Sequence, residues 1–107
     1  MSGGPALIWC PFADAQSARA AAATLLEDGL IACANLLPAM QSLFVWNGEY
    51  GEGAECGALF KTDARKLDAA IARLEAIHPY ETPAIVGWRC DAASAATAAW
   101  LGSLARS

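Results

Sequence analysis

Two side chains in this 107-residue sequence pair donor types that suit metal chemistry: the thiol of Cys10 and the imidazole of His78, the sole histidine. A thiolate and an imidazole match zinc or copper in softness. One of each makes half a tetrahedral site, so water, another subunit or a carboxylate must complete it. Glu49, Glu52 and Glu55 could offer oxygen, but their i, i+3, i+6 spacing keeps all three off a single strand face. The same pair is also the minimum of a Cys–His nucleophile, yet no orienting partner or oxyanion hole accompanies it. Each candidate has a plainer reading. A histidine before a proline is more often a hydrogen-bonding helix terminus, drawn there by the helix dipole. A cysteine inside an apolar run is more often packing, and glutamates beside a turn guard an exposed edge. The run GEYGEGAE is acidic and opens no helix, so it is no phosphate cradle. Lys61-Thr62 could meet an anion, though a lysine there is more usually just solvated.

Cys10 and His78 are far apart in sequence, so the elements between them must bring them together. Ala6 to Phe12 is a short, nearly continuous apolar run, expected as a central strand buried on both faces. Asp14 is placed to cap a helix over Ala15 to Asp28, with Ala18, Ala22, Leu25 and Leu26 on its apolar stripe and Gly29 as its stop. Asp63 is placed to cap a second helix, Ala64 to Ile77, where Leu67, Ile71, Leu74 and Ile77 repeat at helical spacing. Pro79 disfavours helical backbone at His78 and ends that helix. Ala84 to Cys90 is expected as a last core strand. Ser94 to Leu104 is expected as a closing helix that packs through Trp100, Leu101 and Leu104.

Between the two main helices runs Gly29 to Tyr50, nearly free of charge and without helical period. Ile31, Cys33, Phe44, Val45 and Trp46 favour a strand, and Asn47-Gly48 is a strong hairpin signal. One straight strand from Leu30 to Trp46 would reach ~50 Å, beyond what a domain this small can cover with its own sheet. Pro38 cannot donate to a ladder, so a bend or bulge is expected there. The return strand, about Tyr50 to Thr62, centres on Leu59 and Phe60, with Gly51, Gly53 and Gly57 expected to weaken or bulge its early part. The order is β-α-β-β-α-β plus a terminal helix, a split βαβ or ferredoxin-like arrangement of the α+β class. Right-handed crossovers slot the return strand between the first two strands, which are parallel. Both main helices then cover one face and leave the other open. Cys10, His78, Tyr80 and Glu81 fall at one end of the sheet.

Residues 1–107 are expected as a single domain, with 1–4 a loose amino-terminal tail. The chain is 56% hydrophobic and 17% charged, with a mean hydropathy of +0.32. A domain this small hides about two-thirds of its unfolded surface, so apolar residues exceed what its own core absorbs. Alanine-rich helices account for part of the surplus, and burial between subunits is expected to account for the rest. A net charge of −4 gives no footprint for nucleic acid. No apolar run approaches the ~20 residues that span a bilayer, and the amino terminus carries no basic segment. A cytoplasmic protein is expected. Cys10, Cys33, Cys56 and Cys90 lack C-x-x-C spacing and are expected as reduced thiols.

Taken in order, GLIACANLLP, QSLFVWNGEY, Glu55, ALFKT and HPYETP resemble the CutA divalent-cation-tolerance family, over nearly the whole chain. The resemblance implies a ferredoxin-like subunit that assembles as a compact homotrimer, similar to the PII signalling proteins, in the cytoplasm. It implies tolerance of copper and other divalent cations, with copper binding at the positions of Cys10 and His78 and no organic cofactor. Some members carry a second histidine where Ile77 stands, which removes one candidate ligand here. The family's return strand is more charged and less glycine-rich than YGEGAECG, so a looser hairpin is expected. Trp46, Glu55, Lys61, Tyr80 and Pro83 match signature positions. With Glu81 they are expected to shape the subunit interface and its cleft rather than perform a reaction. Two functions follow as expectations: a metal-responsive trimer binding copper or another divalent ion, and a PII-like sensor or interaction module with a small molecule in the cleft.

Overall fold

A computed structural model describes residues 3–105. The first strand, β1 (Pro5–Phe12), alternates strictly: Ala6, Ile8, Cys10 and Phe12 are fully buried, while Pro5, Leu7, Trp9 and Pro11 are half-buried. The expected burial on both faces is thus complete on one face only. Asp14 caps α1 (Ala15–Glu27) by accepting from the Ser17 backbone N–H at 2.8 Å, and that bond lowers its carboxyl pKa. Ala18, Ala21, Ala22 and Leu25 form the buried stripe of α1. Leu26, expected on that stripe, is 46% exposed, because the stripe rotates through Ala21 instead. Gly29 stops the helix at φ +70°, a left-handed conformation glycine adopts without strain.

The long hairpin joins β2 (Cys33–Trp46) to β3 (Glu49–Asp63). Its turn, Asn47-Gly48, has positive φ at both residues (53° and 79°), the I′ geometry that matches strand twist. The pairing shifts between Leu37 and Met40, so Pro38 and Ala39 form a bulge, with Ala39 at φ 58°. β2 begins later than expected. Leu30 and Ile31 sit in the connection, where the Leu30 carbonyl accepts from the Thr62 hydroxyl at 2.8 Å and Ile31 is buried as core. The bulge lies in β2 and not among the glycines of β3, whose pairing is continuous from Glu49 to Asp63. Two of those glycines make room for rings. A Cβ on Gly51 would fall 2.6 Å from the Phe44 ring, and one on Gly57 would fall 2.4 Å from the Trp9 ring.

Asp63 is wholly buried and collects donors. Its carboxylate accepts from the Arg65 backbone N–H and Nε, both at 2.9 Å, from Arg65 Nη2 at 3.3 Å and from Gly4 N at 3.3 Å. The Arg65 guanidinium holds its pKa down at about 2. Gly4, expected in a loose tail, is therefore tied to the body, while Met1 and Ser2 lie outside the described residues. Asp63 caps a 3₁₀ turn, Ala64–Lys66, which leads into α2 (Leu67–Ile77). Leu67, Ala70 and Leu74 of α2 are buried, whereas Ile71 and Ile77 are half-buried. The last strand, β4 (Val86–Arg89), is shorter than expected and forms an edge, with Val86, Trp88 and Arg89 exposed.

The four-stranded sheet has the order β2-β3-β1-β4, every neighbour antiparallel, so β1 and β2 run parallel with β3 between them. This is the ferredoxin-like arrangement. α1 and α2 cover one face over a core that includes Ile8, Phe12, Leu25, Phe60 and Leu74. Ser94 caps α3 (Ala95–Leu104), which packs against β1 and β3. Leu101 of α3 is buried yet outside the cluster beneath α1 and α2, so α3 takes up part of the face expected to be open. Trp100, expected to pack, stays 47% exposed. The hairpin draws the chain out to 42 × 27 × 23 Å.

Candidate functional site

The end of β1, the end of α2 and the hairpin meet at Pro11. The Pro11 carbonyl accepts from His78 Nε2 at 2.9 Å and from the Cys10 thiol at 3.5 Å. His78 Nδ1 accepts from the Tyr80 backbone N–H at 3.1 Å, which assigns the ring proton to Nε2. The ring is 7% exposed. It stacks on Phe12 with centroids 4.2 Å apart and lies tilted against Tyr80 at 4.8 Å. The Tyr80 hydroxyl donates to Glu55 Oε2 at 2.6 Å. Burial, then this bond, raises the Tyr80 pKa.

Cys10 and His78 thus come together, but on a shared carbonyl and not on each other. No dyad exists in which imidazole activates thiol. Burial, with help from the Glu55 charge, pushes the Cys10 thiol up to about 12, so it is protonated at neutral pH. Both His78 nitrogens are engaged by backbone groups. Among the described residues no three His, Cys, Asp or Glu side chains gather to hold a metal ion. As placed in one chain, Cys10 and His78 supply two donors that are already hydrogen-bonded, so by themselves they do not make a closed metal site.

Beside them is a cavity of about 460 Å³ between the hairpin, Ser42 to Trp46, and the segment carrying Tyr80, Glu81, Thr82 and Ala84. Pro11 and Glu55 complete its lining. The structure therefore brings Trp46, Glu55, Tyr80 and Glu81 around one space. Pro83 sits half-buried between two lining residues without lining it. Lys61 is elsewhere, paired with Leu7 and Cys33 in mid-sheet. Of the three glutamates, Glu55 alone reaches this cavity; Glu52 accepts from the Tyr50 hydroxyl out on the hairpin, and Glu49 flanks the turn. Phe44 was read as a strand former of the hairpin, whereas the Pro11 carbonyl and the Phe12 ring escaped sequence reasoning. The alternation of Cys10 with Phe12 was their one available signal, since it puts a ring on the face that His78 must meet.

The signature of the CutA1 divalent ion tolerance protein matches residues 6–103. The chain belongs to the CutA1 family. The divalent-cation tolerance protein CutA of Thermococcus kodakarensis is 33% identical over 95 residues, covering 89% of this chain and 90% of that protein. The crystal structure of divalent ion tolerance protein CutA1 from Ehrlichia chaffeensis superposes with a TM-score of 0.89 at 30% identity, covering 97% of each chain. A CutA from Archaeoglobus fulgidus, described as a periplasmic divalent cation tolerance protein, superposes at 0.87 with 26% identity, covering 94% of this chain and 97% of that one. The CutA1 family is a divalent-cation tolerance family.

Proposed function

We propose that this chain serves divalent-cation tolerance in the cytoplasm as a homotrimer. The CutA1 match over residues 6–103 carries the tolerance role. The assembly reading is supported by the hairpin, where Leu43, Phe44, Val45, Trp46 and Tyr50 stay exposed in a single copy. Cytoplasmic action is supported by four free thiols, two of them only half-buried, which suit a reducing compartment. The role is one of binding rather than catalysis, in keeping with a protonated Cys10 that makes no bond to His78.

Copper or another divalent ion meets the protein weakly, through Cys10 and His78. An incoming ion must displace the thiol proton and one of the two imidazole hydrogen bonds, so affinity is low and rises with pH. Titration calorimetry of purified protein with copper tests this. We expect weak binding that disappears when Cys10→Ser and His78→Gln are combined in a variant with unchanged far-UV circular dichroism. Unchanged binding by that variant would put the metal elsewhere.

The cavity beside Pro11 favours a second reading, a PII-like sensor or interaction module with a small molecule in the cleft. Metal-free protein stabilised against heat by a metabolite supports it.

A further inference from the structure

The cavity beside Pro11 carries charge of one sign. Among the described residues of its lining, Glu55 and Glu81 are the charged side chains, and no lysine, arginine or histidine joins them. The ion pairs among the described residues, Arg65 with Asp63 and Arg73 with Asp28, involve neither glutamate. Glu55 is half-buried, and its named partner is the neutral Tyr80 hydroxyl at 2.6 Å. Its charge is felt by its neighbours, since it helps raise both the Cys10 and the Tyr80 pKa. A carboxylate partly withdrawn from water, with no cation beside it among the described residues, is under-compensated. The rings of Phe44, Trp46 and Tyr80 line the same space, and aromatic faces attract cations.

A bare metal ion suits this setting poorly. Hard cations take six or more oxygen ligands from carboxylates, carbonyls and waters, whereas these walls are mostly apolar. A volume of about 460 Å³ is that of a small organic ligand. We infer that the part of this cavity left open between the assembled copies binds a small organic cation, an ammonium or guanidinium group on an apolar body, with Glu55 as counter-ion and the Phe44 and Trp46 rings as walls. This rests on the second reading above, in which the cleft is a ligand site.

Calorimetry on the full chain at neutral pH, with benzylamine, benzyl alcohol and benzoate as probes of one shape and three charges, tests it. Benzylamine, protonated at that pH, binds about tenfold more tightly than benzyl alcohol, in line with a desolvated cation–π and charge contact, and benzoate binds least. Glu55→Gln brings benzylamine and benzyl alcohol to parity. Should that variant misfold, wild-type benzylamine affinity still falls as salt rises while benzyl alcohol affinity does not. Equal binding of the amine and the alcohol by wild type overturns the cation preference but keeps the ligand cleft. Binding of none of the three overturns both, as does a cavity filled by a side chain of another copy. A preference for benzylamine that survives Glu55→Gln removes Glu55 as counter-ion.

Discussion

The body and the arm of this molecule follow opposite rules. In the body, Ile8, Phe12, Leu25, Phe60 and Leu74 are fully covered by the chain's own helices and strands. In the arm, the hairpin from Met40 to Glu55, β2 and β3 pair without a break, yet Leu43 is 67% and Val45 70% exposed. Strand pairing runs through both regions, so the ladder alone does not account for an apolar arm. What differs is the cover. The body lies under α1, α2 and α3, whereas among the described residues the arm faces the segment carrying Tyr80 to Ala84 across a cavity. A two-stranded ribbon of this kind is marginal by itself. Its apolar sequence makes sense when other copies bury it, which is the proposed trimer.

Breaking the body should hurt most. Phe60→Ala removes a fully buried ring from the central strand and is expected to cost about 3–5 kcal/mol, read from the urea midpoint. The next effect is electrostatic. Asp63 has its folded pKa depressed to about 2 from an ordinary value near 4, so its contribution of about 2 kcal/mol is present above pH 4. It is lost as pH falls from about 4 towards 2. Asp63→Asn should lower stability at pH 7 by a similar amount and flatten the acid limb of the pH–stability curve. The smallest effect on the body belongs to the arm. Leu43→Ser with Val45→Ser leaves far-UV circular dichroism and cooperative unfolding in place, because neither side chain joins the core. Those changes should instead abolish any dependence of Tm on protein concentration.

Local chemistry made the body legible in the sequence. Asp14, Asp63 and Gly29 act where cap and stop signals place them, and Asn47-Gly48 turns the hairpin. The element order alone gave the strand order, because right-handed crossovers leave one slot for the return strand. Errors arose where tertiary packing decides. The glycines of β3 read as weak points, but Gly51 and Gly57 are kept small by the Phe44 and Trp9 rings above them. α3 was expected to pack through Trp100, Leu101 and Leu104; Leu101 does so while Trp100 stays exposed. The sheet face that α3 meets was not legible, because its apolar residues lack a strong helical period. Leu101 is buried against β1 and β3, a contact no local pattern encodes. At the site, topology brought Cys10 and His78 to one end. It gave no hint that the Pro11 carbonyl would engage both, since a backbone acceptor has no residue type to read.

The central claim is that the arm is an assembly surface. Sedimentation velocity of the wild-type chain and the Leu43→Ser, Val45→Ser variant at micromolar concentration tests it most directly. The account predicts three-copy particles for wild type and folded single chains for the variant. A wild-type monomer at that concentration, or a variant that still sediments as a trimer, would contradict it.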